Sequence, residues 1–287
     1  VVGFVRRRIG QQRVGHAGTL DPAATGVLPL CLGRATRLAD RVAAGSKVYA
    51  ADVRLGLATD TCDAEGRALL TRDAPDGRGL TLDVIVAALA DFLGDLEQVP
   101  PSYSALKVEG EAAYARARRG EAIALAARPV TVYSISLLAW RPPLLSFVVR
   151  CSKGTYVRAL ARDLGARLGC AAHLDALVRL AVGPFTLRDA ISVDDVEEQA
   201  TAGRWPALVE PPDRAALDLP AAILAPATAQ HFAHGRAWAP RAGGAPRDAR
   251  AYGVDGCFLG LLRRADSAVR WQPALSFVYD AGADTEC

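Results

Sequence analysis

The segment RVGHAGTLDPAATGVLPLCLGR, residues 13–34, constrains this chain more than any other stretch of it. A single carboxylate, Asp21, stands among Gly15, Gly18, Gly26 and Gly33, residues that admit backbone conformations others resist. Pro22 follows Asp21 directly and pushes it out of helical geometry into an extended or turn conformation. His16 and Thr19 add polar groups, and Val27, Leu28, Leu30 and Leu32 form an apolar tail. Read from the residues alone, a Gly-rich turn entering a buried strand accounts for the glycines and the tail. It leaves the GTLDP core unexplained, so an Asp serving as a turn residue and an Asp serving chemistry both stand open at this point.

Composition narrows the class. The chain has 287 residues, 51% of them hydrophobic, enough for one large domain and a small one or for two medium ones. No apolar run reaches the roughly 18 residues that span a bilayer, and no signal-peptide pattern is visible, so a soluble, cytoplasmic protein with no membrane partner is expected. Cys31, Cys62, Cys151, Cys170, Cys257 and Cys287 show no CxxC spacing, which predicts reduced thiols. His231 and His234 have no acidic or Cys partner beside them, and DTCDAEG lacks the full oxygen set of a calcium loop; no metal site is assigned. Net charge is only +3, so any nucleic-acid footprint is local, as at Arg6-Arg7-Arg8 and Arg116-Arg118-Arg119. The chain contains no Met and opens at Val1; the simplest reading is a sequence that lacks its start.

Pattern predicts the end of a basic helix over 1–10, a strand over 47–57, and a turn-rich acidic loop over 60–66. A helix is expected over 81–93, with Thr81 as N-cap, Gly94 as terminator and Leu82, Val86, Leu89 and Leu93 on one face. Strands are expected over 129–140 and 145–151, a helix over 155–168, and a second, apolar helix over 171–182. The charged, Pro-containing stretch around 210–218 marks the expected domain boundary. Beyond it, short strand-like pieces alternate with Gly and Pro turns, as in a small all-β module.

GHAGTLDPAATGVLPLCLGRATR resembles the catalytic-aspartate motif of the TruB-type tRNA pseudouridine synthases. Further likeness is carried by KVY at 47–49, by CSKGTYVR at 151–158 and by HLDALVRLAVGPF at 173–185. The resemblance implies a mixed α/β (α+β type) catalytic domain over 1–212, built on a largely antiparallel sheet with flanking helices. It also implies a mobile thumb-like RNA-binding insertion over about 98–128 and a small, β-rich, PUA-like domain over 213–287. By the same resemblance, Asp21 is the catalytic carboxylate, Tyr49 stacks on the target base, and Arg158 pairs with Asp21. Tyr156 and Leu177 line the uracil pocket. Lys47, Gly18 and Thr19 belong to the substrate site, His16 touches the RNA loop, and Arg179 contacts RNA. Within the insertion, Tyr103, Lys107, Arg116, Arg118 and Arg119 interleave aromatic and basic groups suited to stacking and phosphate contact.

The implied reaction turns a T-loop uridine of tRNA, position 55, into pseudouridine after the base is extruded from its stack. It needs a nucleophile and retention of the detached base, but no cofactor. The implied partner is tRNA, through its T-arm and acceptor stem, and the implied state is a monomer. The family's usual opening strand, with a KPxGxTS-like motif, has no counterpart ahead of the basic helix. A chain truly lacking it would expose an unpaired sheet edge, and a tRNA-binding or RNA-folding protein with impaired catalysis is the alternative reading. A hydrolase using a lone carboxylate is more distant, since such enzymes usually set two carboxylates around the bond they cut.

Overall fold

The computed structural model describes residues 1–72, 80–104, 106–108, 110–119, 121, 125–239, 246–264 and 270–278. In chain order the elements are α1 (Val2–Ile9), β1 (Val14–His16), β2 (Thr25–Gly26), β3 (Leu30–Leu32), α2 (Ala39–Ala44), β4 (Lys47–Leu55), β5 (Leu57–Thr59) and β6 (Ala68–Thr71). There follow α3 (Leu82–Ala90), β7 (Gly94–Gln98), β8 (Lys107–Val108), β9 (Glu111–Ala112), α4 (Ala113–Arg118), β10 (Arg128–Arg141), β11 (Leu144–Cys151), α5 (Val157–Arg167), β12 (Ala172–Val182) and β13 (Phe185–Thr186). The last are α6 (Val193–Thr201), β14 (Ala221–Ile223), α7 (Pro226–Ala233), β15 (Asp248–Tyr252), β16 (Phe258–Arg264) and β17 (Trp271–Ser276). They fall into two compact units, Val1–Ala17 with Leu30–Val42 and Ile191–Cys287, and Gly18–Pro29 with Ala43–Ala190.

The second unit is built on one sheet in the order β13-β12-β4-β11-β10-β7, antiparallel throughout, with the short β2 added in parallel to β12. Alternation explains its layering. Along β11, Leu145, Phe147, Val149 and Cys151 are buried while the residues between them are not, as a strand with one covered face requires. Ile85 and Leu89 of α3 and Leu160 and Leu164 of α5 complete this core. In the first unit β1 pairs with β3, and a four-stranded sheet β14-β15-β16-β17 packs Ala249, Ala251 and Leu262 against Phe232 of α7.

Three expectations are corrected. Residues 172–182 form a strand, β12, not a helix. The Ala- and Leu-rich composition favours helix locally, but this segment is ladder-bonded to β4 along its length, and tertiary pairing outweighs so weak a prior. Two bulges, between Leu174 and Ala176 and between Arg179 and Ala181, break the alternation that would have signalled a strand. In α3 the buried stripe is Ile85, Ala88 and Leu89, whereas Leu82, Val86 and Leu93 are exposed. This helix is apolar nearly all round, so its sequence offers two stripes, and packing selects the one facing β10. It ends at Ala90, and Gly94 opens β7 instead of capping the helix. Finally, Cys31, Cys62, Cys151 and Cys170 are free thiols but Cys257 is disulfide-bonded, which spacing alone does not signal.

Helix α5 approaches the sheet through Gly165, where an added Cβ would stand 2.4 Å from Ala172 Cβ and 2.9 Å from its backbone nitrogen. Gly165→Val is therefore expected to force α5 off β12 and to lower stability by about 1–3 kcal/mol, the usual scale of overpacking, read as a reduced urea midpoint with an unchanged m-value.

Candidate active site

Arg158 organises the site. It occupies the first turn of α5, just after the N-cap Tyr156, where the helix dipole disfavours a cation, and its side chain is only 6% exposed. A buried guanidinium in that position requires acceptors. It has them: Nε donates to Asp21 Oδ2 at 2.9 Å, Nη2 to Asp21 Oδ1 at 3.0 Å and Nη1 to the Thr61 carbonyl at 3.1 Å. Asp63 adds a second carboxylate 3.5 Å from Nη1. The two parallel bonds to Asp21 are the fork-to-fork arrangement that fixes a carboxylate in plane as well as in place. Asp21 remains 38% exposed at its side chain, so the same carboxylate that Arg158 grips also faces outward.

The loop carrying Asp21 is held by its own turn, Ala24 N–H to Asp21 O at 3.0 Å. Asp21 and Arg158 line one cleft together with Asp63, Ala24, Leu174, Asp175 and Leu177. Leu177 pairs with Ala51 across the β12–β4 ladder and joins the hydrophobic core, against which Tyr49 packs. Burial pushes the Tyr49 phenol above its ordinary range, opposed by the positive charge of Arg179; the negative charge of Asp21 is close enough to push it the same way as burial. Tyr156 is likewise shifted up by burial, and it feels both Arg158 and Asp21. The structure therefore brings Asp21, Arg158 and Leu177 into one cleft, with Tyr49 packed against the core that Leu177 joins and Tyr156 opening the helix that carries Arg158.

Other expected contacts fall elsewhere. Lys47 is buried, and its ammonium donates to the carbonyls of Ala43 and Gly45 (2.7 Å for the latter); burial lowers its pKa. It ties down the turn before β4 instead of facing a substrate. Arg179 is 1% exposed, with its guanidinium on the carbonyls of Gly18, Thr19 and Val27, which leaves no surface for RNA. Gly18 and Thr19 thus contribute carbonyls to the interior of the loop. His16 belongs to the first unit, exposed at the end of β1. In the insertion, Arg116 pairs with Glu121, and Arg119 with Glu111 and Glu121. Tyr103 is half-buried, and the side chains of Lys107 and Arg118 lie outside the described residues.

Two contributors escape sequence reading. Asp63 sits in a turn, DTCDAEG, whose sequence suggests a structural or RNA-adjacent loop, yet its carboxylate reaches Arg158. Gln98 is buried and clamps the backbone of Tyr156 from both sides, accepting from its N–H at 2.8 Å and donating to its carbonyl at 3.1 Å. Gln98 closes β7, GDLEQ, which already carries Asp95 and Glu97, so nothing in the sequence singles it out.

Comparison with known proteins adds the lineage. Residues 6–157 match the family described as TruB family pseudouridylate synthase (N terminal domain), and residues 158–215 match the tRNA pseudouridylate synthase B C-terminal domain. A tRNA pseudouridine synthase B from Cupriavidus metallidurans is 42% identical over 92% of this chain and 86% of its own length. One from Arthrobacter sp. (strain FB24) is 42% identical over 96% and 91%. Among solved structures, a Cbf5-Nop10-Gar1 complex contains a chain with TM-score 0.69 and 24% identity, covering 91% of this chain and 73% of that one. A chain of an H/ACA RNP bound to a substrate RNA containing 2'-deoxyuridine superposes with TM-score 0.72 at 20% identity, over 97% and 80%. At these identities the structural likeness speaks for the fold.

The Tyr49 phenol gives a direct probe of the pocket. Ultraviolet difference titration of the wild type against Tyr49→Phe is expected to show an ionisation midpoint above the ordinary tyrosine value of about 10. Its folded pKa is raised, so its contribution to stability is complete below the unfolded pKa and is lost as pH climbs through the folded one. A midpoint at or below the ordinary value contradicts burial of the phenol.

Proposed function

The chain belongs to the TruB family of pseudouridylate synthases, and from that premise we propose that it converts the T-loop uridine at position 55 of tRNA into pseudouridine, with Asp21 as the catalytic carboxylate. The observation that carries this reading is the bidentate Arg158–Asp21 fork opening into a cleft shared with Leu177. Curated relatives over most of the chain bear the name tRNA pseudouridine synthase B, which supports tRNA as the substrate.

The chemistry breaks the bond from ribose C1′ to uracil N1, turns the base within the pocket and forms a bond from C1′ to C5; the C5 hydrogen then leaves as a proton. A carboxylate serves as nucleophile toward C6 or C1′, or as the group that removes the C2′ proton along a glycal route. Each route needs the same arrangement: one carboxylate held at a fixed angle, with an oxygen face turned to the extruded nucleotide. The Arg158 fork supplies orientation. Leu177 and the Tyr49 ring offer an apolar slot that retains the detached uracil, and the phenol, neutral well beyond physiological pH, remains a hydrogen-bond donor. Exposed Arg119 and half-buried Arg116, engaged with carboxylates that phosphate can displace, suit contact with the RNA backbone. The reading places the protein in the cytoplasm as a monomer.

Asp21→Asn tests it. A T-arm stem-loop transcript carrying tritium at uridine C5 is expected to release label with the wild type and not with the variant, while transcript affinity changes by less than about threefold, the pattern of an interaction used only in the transition state. Label release by Asp21→Asn at the wild-type rate removes Asp21 from the chemistry. Binding without release by the wild type supports the impaired RNA-binding reading instead.

A further inference from the structure

Among the described residues Arg179 is the largest side chain that is buried almost completely, and no carboxylate among them pairs with it. Burying an unpaired cation costs several kcal/mol unless hydrogen bonds replace its water. Here three come from backbone carbonyls of one loop: Nη2 donates to Gly18 O at 3.0 Å, Nη1 to Thr19 O at 3.0 Å and Nε to Val27 O at 2.7 Å, and the Tyr49 hydroxyl is a further, side-chain partner. The first two acceptors precede Asp21 and the third follows it. The main chain of Arg179 seals the same junction, accepting from Val27 N–H at 2.8 Å, and β2 pairs with β12 at Arg179↔Gly26. The loop is shaped to fit. Gly18 has φ +113°, and at Gly26, with φ +96°, an added Cβ would lie 2.3 Å from the Arg179 carbonyl oxygen. Across the sheet, Arg179 stands opposite Tyr49 in the β12–β4 register, and its charge acts on that phenol.

We infer that Arg179 is a positioning residue for the reaction: it pins both ends of the loop that carries Asp21 onto β12, and thereby sets where that carboxylate stands relative to Tyr49 and the bound nucleotide. The inference rests on the functional reading above. The role demands arginine. Only a planar guanidinium spreads its donors over three diverging carbonyls, whereas a lysine ammonium is a point charge on a flexible stem. With the loop freed at one end, Asp21 moves against its own fork, and a displacement of an ångström at a reacting group costs about a hundredfold in rate.

The test compares wild type, Arg179→Lys and Gly26→Ala on a T-arm stem-loop transcript, measuring single-turnover rate, transcript Kd and amide hydrogen exchange of residues 18–27. Arg179→Lys is expected to lose about tenfold to a hundredfold in rate with Kd changed less than about threefold, and to exchange faster within 18–27 than elsewhere in the second unit. Gly26→Ala, which crowds the same junction from an exposed position, is expected to reproduce the kinetic loss with Arg179 intact. A wild-type rate in Arg179→Lys overturns the inference, as does a loss of transcript affinity that accounts for the whole defect, which marks an RNA contact instead. If Arg179→Lys fails to fold, Gly26→Ala decides alone, and a wild-type rate there overturns the inference. If the wild type itself makes no pseudouridine, the functional reading falls. The exchange data then judge the positioning claim separately: equal protection of 18–27 in wild type and variant defeats it.

Discussion

A guanidinium buried in the first turn of a helix is the constraint on which this site depends. Arg158 cannot sit there without negative partners, because both desolvation and the helix dipole oppose it. Its partners come from two other segments, the loop around Asp21 and the turn carrying Thr61 and Asp63. Three stretches far apart in sequence must converge for one side chain to be satisfied. Folding of the second unit and assembly of its site are therefore one event. Helix α5 is pressed against β12 at Gly165, β12 holds the Asp21 loop through Arg179, and Gln98 fixes the backbone of Tyr156 at the start of α5.

The resulting cleft divides its charges by exposure. Within it Arg158 is hidden on protein acceptors and Asp21 is partly open; Arg179 and Lys47, which do not line it, are buried on backbone carbonyls. The walls, supplied by Leu174, Leu177 and Ala24, are apolar, which strengthens electrostatic interactions within the cleft relative to water. In the insertion Arg116 and Arg119 pair with the surface carboxylates of Glu111 and Glu121.

Much of this was legible in the sequence, though by different routes. Alternation showed β11 and most of β4 directly, and Thr81 with the residues after it showed α3, because periodicity and capping are local physics. The Asp21–Arg158 pair spans 137 positions and was visible only through the family likeness of GTLDP and CSKGTYVR; no local rule links them. The family likeness sets Lys47 at the substrate and Arg179 on RNA, whereas both side chains turn inward to backbone carbonyls. The helical expectation over 171–182 hides the pairing of Arg179 with Gly26 and its position opposite Tyr49, which only the strand creates. In α3 the chain offered two apolar faces, and only the packing against β10 distinguished them.

In the proposed reaction Asp21 acts from the two-bond fork in which Arg158 holds it. The most direct measurement is the single-turnover rate of Arg158→Lys on a T-arm transcript, since lysine keeps the charge and removes the fork. A rate reduced by about a hundredfold with RNA affinity preserved is the result predicted. Turnover by Arg158→Lys at the wild-type rate would contradict it.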